Sequence, residues 1–262
     1  MKKKIIIISS ILLLIPCVVV GISLFLKSPD VAKVETKSSK QETLPHQDQA
    51  PKKVPTKSKQ KIAYLTIDDG PTKYLSEIVA ALKKENVKAT FFLVGNNITG
   101  DHKKEVKEAA EAGHSIGMHS MTHDSKKLYK KGQFIPEMKQ ESTLINGLLG
   151  KQIKLIRAPY GSTYLNSAQI KKVKEEKYRL LDWNIDSEDW RHKGQPQKIV
   201  ASVKEQLDKF HKISPVILVH ETEDTLKAIP GLIKAIREKG FEPMPYFEDN
   251  DFHMNFIKDA GL

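Results

Sequence analysis

Short apolar runs alternate with amphipathic segments from Lys61 to the end of this 262-residue chain. The first run, residues 62–67, is typical of a buried strand. Leu75, Ile78 and Leu82 in the next segment recur at the spacing of one helix face. Strands that alternate with helices over about 200 residues predict an α/β fold with a mostly parallel sheet, either open or closed into a barrel.

The same periodicity places the individual elements. Strands are predicted over residues 62–67, 89–94, 114–118, 153–156, 178–185 and 216–219, with a last short strand at Phe241 and Met244. Helices are predicted over residues 74–85, 103–112, 134–149, 167–176, 196–210 and 225–238. Gly113 and Gly150 are placed to end the second and third helices, because glycine readily adopts the left-handed conformation.

Two adjacent carboxylates, Asp68 and Asp69, follow the first predicted strand. Adjacent like charges repel, so a folded site holds both only with a cation or a proton nearby. Asp-Asp-Gly-Pro is also common turn chemistry, and a plain turn is one interpretation. The other is a strand-end site in which one aspartate binds a metal and its neighbour acts as a base.

His119 and His123 follow the third predicted strand. On a helical turn, residues four apart share a face, and two histidines could hold one metal together. An aspartate oxygen and two imidazoles form a donor set with room for water and substrate, which is typical of catalytic sites. The alternative is two unrelated polar histidines in a loop.

Three more polar clusters follow predicted strands. Arg157 could clamp a carboxylate and lower its pKa. Four acids occur in residues 182–189, next to Trp183 and Trp190, and His220 is a candidate general acid. Each has an ordinary structural explanation by itself. The carboxyl ends of parallel strands share one face, however, so the five clusters together predict one active site.

The first 60 residues have a different composition. Residues 1–27 carry three lysines directly after Met1 and include a 22-residue segment, residues 5–26, without charge. As a helix this segment would be about 33 Å long, enough for a bilayer core of about 30 Å. We predict an uncleaved signal anchor with one transmembrane helix; a cleaved signal peptide is the alternative. Residues 28–60 are predicted to be a disordered basic linker.

Charge is concentrated in this N-terminal part. Residues 1–60 hold 11 of the chain's 43 lysines and arginines but 4 of its 32 acids. The remaining 32 basic and 28 acidic residues give residues 61–262 little net charge, which argues against a nucleic acid partner. Cys17 is the single cysteine, so an internal disulfide and a zinc site built from several cysteines are both excluded.

Five motifs resemble, in order, those of the polysaccharide deacetylases, carbohydrate esterase family 4, also called the NodB homology domain. They are TIDDGP at 66–71, HSMTH at 119–123, RAPY at 157–160, DSEDW at 186–190 and LVH at 218–220. The resemblance spans residues 61–262. Ile67 replaces the usual phenylalanine, and Glu221 replaces the aspartate that often follows the histidine. Neither difference removes a reactive group.

The resemblance implies a distorted (β/α) barrel with fewer units than the eight-fold barrel. It also implies a divalent-metal hydrolase that removes acetyl groups from N-acetylglucosamine polymers, with zinc as the metal and cobalt as the alternative. The implied metal ligands are Asp69, His119 and His123; the implied catalytic residues are Asp68, His220, Arg157 and Asp189; and the implied substrate-binding residues are Tyr160, Trp190 and Leu218.

Each of these residues has an implied role in the family. Asp68 is the general base, which Arg157 orients, and His220 is the general acid, which Asp189 pairs with. The backbone N–H of Tyr160 helps to bind the oxyanion. Trp190 lines the site and Leu218 shapes the pocket for the acetyl methyl group.

The substrate is predicted from the N-terminal segments. A flexible linker of this length reaches about 30–35 Å, which places a monomeric catalytic domain outside the cell membrane and near peptidoglycan. The alternative substrates are chitin oligomers, an exopolysaccharide, muramic acid units and acetylated xylan. A catalytically dead wall-binding protein is a further alternative, which the intact reactive residues disfavour. Protease added to wall-stripped cells should remove an anchored outer domain and should leave a cytoplasmic marker intact.

Overall fold

The structure is a computed structural model that describes residues 61–262. Its strands are β1 (Lys61–Gly70), β2 (Thr90–Leu93), β3 (Ser115–Met118), β4 (Leu155–Ile156), β5 (Arg179–Leu180), β6 (Ile185–Asp186), β7 (Val216–His220) and β8 (Phe241–Met244). Its α-helices are α1 (Leu75–Lys84), α2 (His102–Glu111), α3 (Phe134–Leu149), α4 (Ser167–Glu175), α5 (Pro196–Leu207) and α6 (Glu223–Glu238).

The strands form one parallel sheet in the order β5-β4-β3-β2-β1-β7-β6, and β8 pairs with the first half of β1. The two outermost strands of this order, β5 and β6, are joined by residues 181–184. So short a connection requires the sheet to curl until its two edges are close together. The curled, incompletely closed parallel sheet confirms the predicted distorted barrel.

The predicted strand over residues 178–185 is wrong, because the chain changes sheet edges within it. β5 pairs with β4, whereas β6 pairs with β7. Between them the Asp182 N–H donates to the carbonyl of Met254, which belongs to neither strand. An apolar run predicts a strand but does not show which strands it pairs with, so the periodicity could not reveal this change of edge.

Most other predicted boundaries agree within three residues. α3 has the predicted bounds, and Gly150 follows it in the left-handed conformation with φ of 66°. Gly113 follows α2 with φ of 90°. Three short turns were not predicted from the sequence: the π-helical turn Lys126–Lys130 and the 3-10 turns Gly95–Asn97 and Ser162–Tyr164.

The alternation of side chains along β1 decides which groups enter the barrel. Ala63, Leu65 and Ile67 are buried in the large cluster that includes the apolar faces of the helices. Tyr64 instead belongs to a smaller cluster formed by strand and loop residues. Since successive strand residues point to opposite faces, Asp68 shares the inner face with Tyr64. The fold therefore directs this carboxylate into the barrel.

None of the helices within residues 61–262 is long and apolar enough to cross a membrane. The predicted transmembrane segment and the whole of the predicted linker lie outside the described residues. The predicted division at residues 27 and 60 stays a prediction.

Gly117 tests how tightly the inside of the barrel is packed. A Cβ atom at Gly117 would lie 2.6 Å from the ring of Phe92 on the neighbouring strand. We expect Gly117→Ala to destabilise the fold by about 1–3 kcal/mol, because the ring has to move within a packed interior. Thermal unfolding should show a Tm lower by about 2–4 °C for each kcal/mol.

Gly147→Ala is the matched control for this prediction. Gly147 lies in α3, and a Cβ atom there would have no neighbouring atom within 4 Å. Alanine should stabilise the helix by about 0.5–1 kcal/mol. An equal effect of the two substitutions on Tm would contradict the packing argument.

Candidate active site

The polar groups that follow the strands meet at one rim of the sheet, as predicted. The Arg157 Nη1 atom lies 2.8 Å from Asp68 Oδ1. The His119 Nε2 atom lies 3.7 Å from Asp68 Oδ2 and 3.5 Å from Asp69 Oδ1. His220 pairs along the register with Asp68, one strand away. Side chains from four separate strand ends thus surround one point.

Asp69, His119 and His123 form a candidate metal site. Each residue offers one ligand atom, and the three atoms lie within 4.8 Å of one another. The His123 Nε2 atom is 3.4 Å from Asp69 Oδ1. This oxygen is buried and has no hydrogen-bond partner among the described residues. An unpartnered buried oxygen between two imidazoles fits a divalent cation, which would satisfy all three donors.

The two histidines do not share a helical turn, so that prediction is wrong. Residues 119–123 form an irregular loop in which Ser120 has φ of 71° and His123 has φ of 54°. The His123 N–H donates to Ser120 Oγ at 2.9 Å, and the Gly95 N–H donates to the Ser120 carbonyl at 3.0 Å. The loop brings the imidazoles together, with ring centres 4.9 Å apart.

The His119 ring is held in the tautomer that suits a metal ligand. Its Nδ1 atom lies 2.9 Å from the carbonyl oxygen of Arg157. A carbonyl can only accept, so Nδ1 carries the proton and the Nε2 lone pair is available to a cation beside Asp69. Burial lowers the pKa of His119 to about 3, against the attraction of the Asp69 charge. The imidazole is therefore neutral at physiological pH.

Arg157 binds Asp68, but the net effect on the aspartate differs from the prediction. Both side chains are almost completely buried. Burial raises the pKa of the Asp68 carboxyl above its ordinary value, although the Arg157 charge and hydrogen bond lower it. The sequence predicted the lowering contribution alone, because it does not show how deeply a side chain is buried.

Arg157 also binds the segment that joins the two sheet edges. Its guanidinium donates to Thr66 Oγ1 at 2.7 Å, to the Leu181 carbonyl at 2.9 Å and to the Asp182 carbonyl at 3.0 Å. Its planar group lies 4.2 Å from the centre of the Phe92 ring. These contacts satisfy a cation whose side chain is 0% exposed.

Asp182 stabilises this connection from the other side, a role that the sequence analysis did not assign. Its carboxylate accepts hydrogen bonds from the N–H and the hydroxyl of Ser162, and from the Phe256 N–H at 2.7 Å. Asp182 is fully buried. Its position within a cluster of acids was the available signal, but the sequence does not separate this structural aspartate from Asp189.

His220 and Asp189 form the second ionisable pair. The His220 Nδ1 atom is 2.8 Å from Asp189 Oδ1, and the His220 N–H donates to Asp189 Oδ2 at 2.6 Å. Burial by itself lowers the pKa of His220. The hydrogen bond and charge of Asp189, with smaller contributions from Asp68 and Asp69, outweigh burial and raise this pKa to about 9. His220 therefore carries a proton at neutral pH.

The three predicted substrate-binding residues lie in different environments. Trp190 is 53% exposed and lines a cavity of about 580 Å³ together with Asp69, Asp189 and His220. Tyr160 is 49% exposed, and its hydroxyl donates to the His123 carbonyl at 3.0 Å. Leu218 is buried in β7. Neither Tyr160 nor Leu218 lines this cavity.

Glu221 explains why a glycine follows the two aspartates. Its Oε1 atom accepts the Thr72 N–H at 2.5 Å, and a Cβ atom at Gly70 would lie 2.2 Å from its Oε2 atom. Burial raises the pKa of Glu221 to about 7. A side chain at position 70 would displace this carboxyl group, which holds the turn after β1 against the end of β7.

Two other buried carboxylates near the site were missed. Glu137 and Glu141 lie on α3 and accept hydrogen bonds from residues of the 119–123 loop. Burial, with a smaller contribution from Glu137, raises the pKa of Glu141 well above its ordinary value. The available signal was their helical spacing from Phe134, Met138 and Ile145, which places two acids on the apolar face.

The fold and the site define a class of protein. A candidate metal site beside a buried carboxylate and a protonated histidine, all at the carboxyl ends of parallel strands, is characteristic of a hydrolytic enzyme. The sequence matches the family description "Polysaccharide deacetylase" over residues 56–180.

Known proteins identify the family. The chain is 38% identical over 263 residues to a peptidoglycan-N-acetylglucosamine deacetylase of Bacillus cereus, with 96% of each chain covered. The crystal structure of the Bacillus cereus polysaccharide deacetylase Bc1974 superposes with a TM-score of 0.72 at 42% identity, covering 78% of this chain and 100% of that chain. The chain belongs to the polysaccharide deacetylase family, a group of hydrolases within carbohydrate esterase family 4.

A more distant structure has the same fold. The catalytic domain of a peptidoglycan N-acetylglucosamine deacetylase from Eubacterium rectale superposes with a TM-score of 0.68 at 26% identity. The alignment covers 81% of this chain and 99% of that one. The curled parallel sheet is thus shared well beyond the most similar sequences.

The His220–Asp189 pair leads to a prediction about pH. Because the folded enzyme has a His220 pKa of about 9, the proton that it could donate is present below pH 9 and is lost as the pH rises through 9. Asp189→Asn removes the charge that raises this pKa. We expect the alkaline limb of the pH profile of kcat/KM to shift to lower pH by about 1–3 pH units.

Glu188→Gln is the control for this substitution. Glu188 is the neighbouring acid, and its carboxylate pairs with Arg191 rather than with His220. Its profile should keep the wild-type alkaline limb. An Asp189→Asn profile with the same limb as wild type would show that His220 is not the group that titrates.

Proposed function

We propose that the protein removes N-acetyl groups from N-acetylglucosamine residues of peptidoglycan. The observation that carries the proposal is the convergence of Asp69, His119 and His123 with the Asp68–Arg157 and His220–Asp189 pairs at one rim. It is supported by 38% identity, over 96% of both chains, to a peptidoglycan-N-acetylglucosamine deacetylase. The reacting bond is the amide of the acetamido group.

The metal that fits Asp69, His119 and His123 is zinc, with cobalt as a substitute, because the donors are imidazole nitrogens and one carboxylate oxygen. When bound, such an ion acts as a Lewis acid that lowers the pKa of water and polarises a carbonyl group. Two features leave these donors available to a cation. The His119 tautomer carries its proton on Nδ1 rather than on Nε2, and the Asp69 oxygen has no hydrogen-bond partner among the described residues.

Asp68 is the proposed general base. Arg157 holds its Oδ1 atom at 2.8 Å, while its Oδ2 atom lies toward the metal ligands, 3.7 Å from His119 Nε2. The carboxylate is thus oriented to take a proton from the attacking water. Its raised pKa makes it a stronger base than an exposed aspartate.

His220 is the proposed general acid. With Nδ1 hydrogen-bonded to Asp189, its Nε2–H is left to protonate the departing amine. The proposed oxyanion donor is the Tyr160 N–H, on a residue held in the left-handed conformation with φ of 66°. Water attack on the amide carbonyl followed by C–N cleavage gives acetate and a glucosamine unit.

The proposed location is the outer face of the cell membrane, with the catalytic domain anchored by the predicted helix of residues 5–26. Peptidoglycan lies within reach of the linker there. The alternative substrates named above share the same amide or ester chemistry. A catalytically dead wall-binding protein would have no need of a complete set of metal donors, base and acid.

The direct test is acetate release by the purified full-length protein. We expect acetate and new free glucosamine amines from purified peptidoglycan, with slower release from chitin oligomers and acetylated xylan. Chelation should abolish the release, and added zinc or cobalt should restore it. Faster release from either alternative polymer would overturn the assignment to peptidoglycan.

Two substitutions separate the proposed base from the metal ligands. Asp69→Ala should lower zinc occupancy, because it removes one of three donors. Asp68→Asn should keep zinc bound while reducing kcat by about 10²–10⁴-fold, because it removes a general base. Metal analysis and acetate assays on both variants check this. Full turnover by Asp68→Asn would exclude Asp68 as the base.

A further inference from the structure

Two buried carboxylates in α3, Glu137 and Glu141, contact the loop of residues 119–123. The proposed mechanism uses neither of them. They are four residues apart, so their side chains leave the helix on the same face. Two acids side by side on a buried helix face are unfavourable unless they bind something specific.

Glu141 binds the first residue of this loop. Its side chain is 0% exposed, and its Oε1 atom accepts the backbone N–H of His119 at 3.2 Å. That N–H belongs to the residue whose ring forms part of the metal site. Its Oε2 atom is buried and has no hydrogen-bond partner among the described residues.

Glu137 binds the loop near its other end. Its carboxylate accepts the Thr122 N–H at 2.9 Å, and the Thr122 hydroxyl lies 2.9 Å from both of its oxygens. Glu137 is 7% exposed. Thr122 immediately precedes His123, so this contact fixes the approach to the second histidine ligand.

The loop itself has little regular structure to hold it. Ser120 and His123 both have positive φ, a conformation that non-glycine residues adopt at a cost. Two loop carbonyls accept the N–H groups of Gly95 and Asn96, in the turn that follows β2. The His119 N–H is shared, because it donates to the Leu93 carbonyl of β2 at 2.8 Å as well as to Glu141. The α3 carboxylates add the contacts from the helix side. The two sets of contacts are complementary and together fix both histidines.

We propose that Glu137 and Glu141 are positioning residues that hold His119 and His123 in place for metal binding. They act through the loop backbone and touch neither metal nor substrate. Partners that orient metal ligands typically change metal affinity by about 10–100-fold when they are replaced. The inference rests on the proposed metal site but is independent of the proposed substrate.

The test is zinc binding by the full-length protein after removal of metal, measured by competition with a chromophoric chelator well below the unfolding temperature. Glu141→Leu and Glu137→Leu should each weaken zinc binding by about 10–100-fold. Glu141→Gln and Glu137→Gln keep an oxygen acceptor of the same reach and should restore most of the affinity. The visible absorption of bound cobalt should change in the leucine variants and resemble wild type in the glutamine variants.

Gln140→Leu is the matched control, because it replaces an exposed polar residue on the same helix. It should leave zinc affinity and the cobalt spectrum unchanged. Tm of the metal-free proteins separates a structural role from positioning. If the leucine variants have a lower Tm but wild-type zinc affinity, the two acids only support the fold and the proposal is overturned.

The less buried Glu137 keeps the test decisive should Glu141→Leu not fold. In that case Glu137→Leu with unchanged zinc affinity overturns the proposal, and a loss that Glu137→Gln restores supports it. A wild-type protein that binds zinc tightly but releases no acetate would overturn the proposed function and leave this inference standing. A wild-type protein that binds no zinc would overturn this inference.

Discussion

The buried guanidinium of Arg157 links parts of the barrel that the sheet does not join. It donates to Asp68 on β1 and to two carbonyls of the segment that crosses between the open edges. The backbone carbonyl of Arg157 also holds the His119 ring. A buried cation is costly unless it is fully partnered, so the guanidinium needs all of its hydrogen bonds. The position of the proposed base, the link across the open edges and the orientation of one candidate metal ligand therefore depend on a single residue.

The two ionisable pairs of the site differ in their exposure. Asp68 and Arg157 are buried on all sides, which fixes the orientation of the carboxylate. His220 lines the cavity beside the exposed Trp190, while its partner Asp189 is buried. The proposed general base is thus held on the buried side of the site. The proposed general acid faces the cavity where a sugar polymer would lie.

The polar residues at the strand ends were predictable because they depend on local sequence patterns. The contacts that surround them were not. Apolar runs ending in Asp68, His119, Arg157 and His220 indicated strands with polar carboxyl ends, and the parallel sheet brought those ends together. The break between β5 and β6 was missed because pairing partners leave no mark on an apolar run. Glu141 and the raised pKa of Asp68 were missed because burial depends on contacts between residues far apart in the sequence.

The left-handed residues of the rim have a consequence for adaptation to heat. Asp69, Ser120, His123, Tyr160 and Glu188 all have positive φ, and each lies in one of the five sequence motifs. Such backbone conformations cost about 1–3 kcal/mol each in the less tolerant residue types, and net stability is of the same order as a few such costs. Two of the five, Asp69 and His123, belong to the candidate metal site, so relaxing their backbone would move its donors. Substitutions on the solvent-facing surfaces of the helices can raise thermal resistance without this cost.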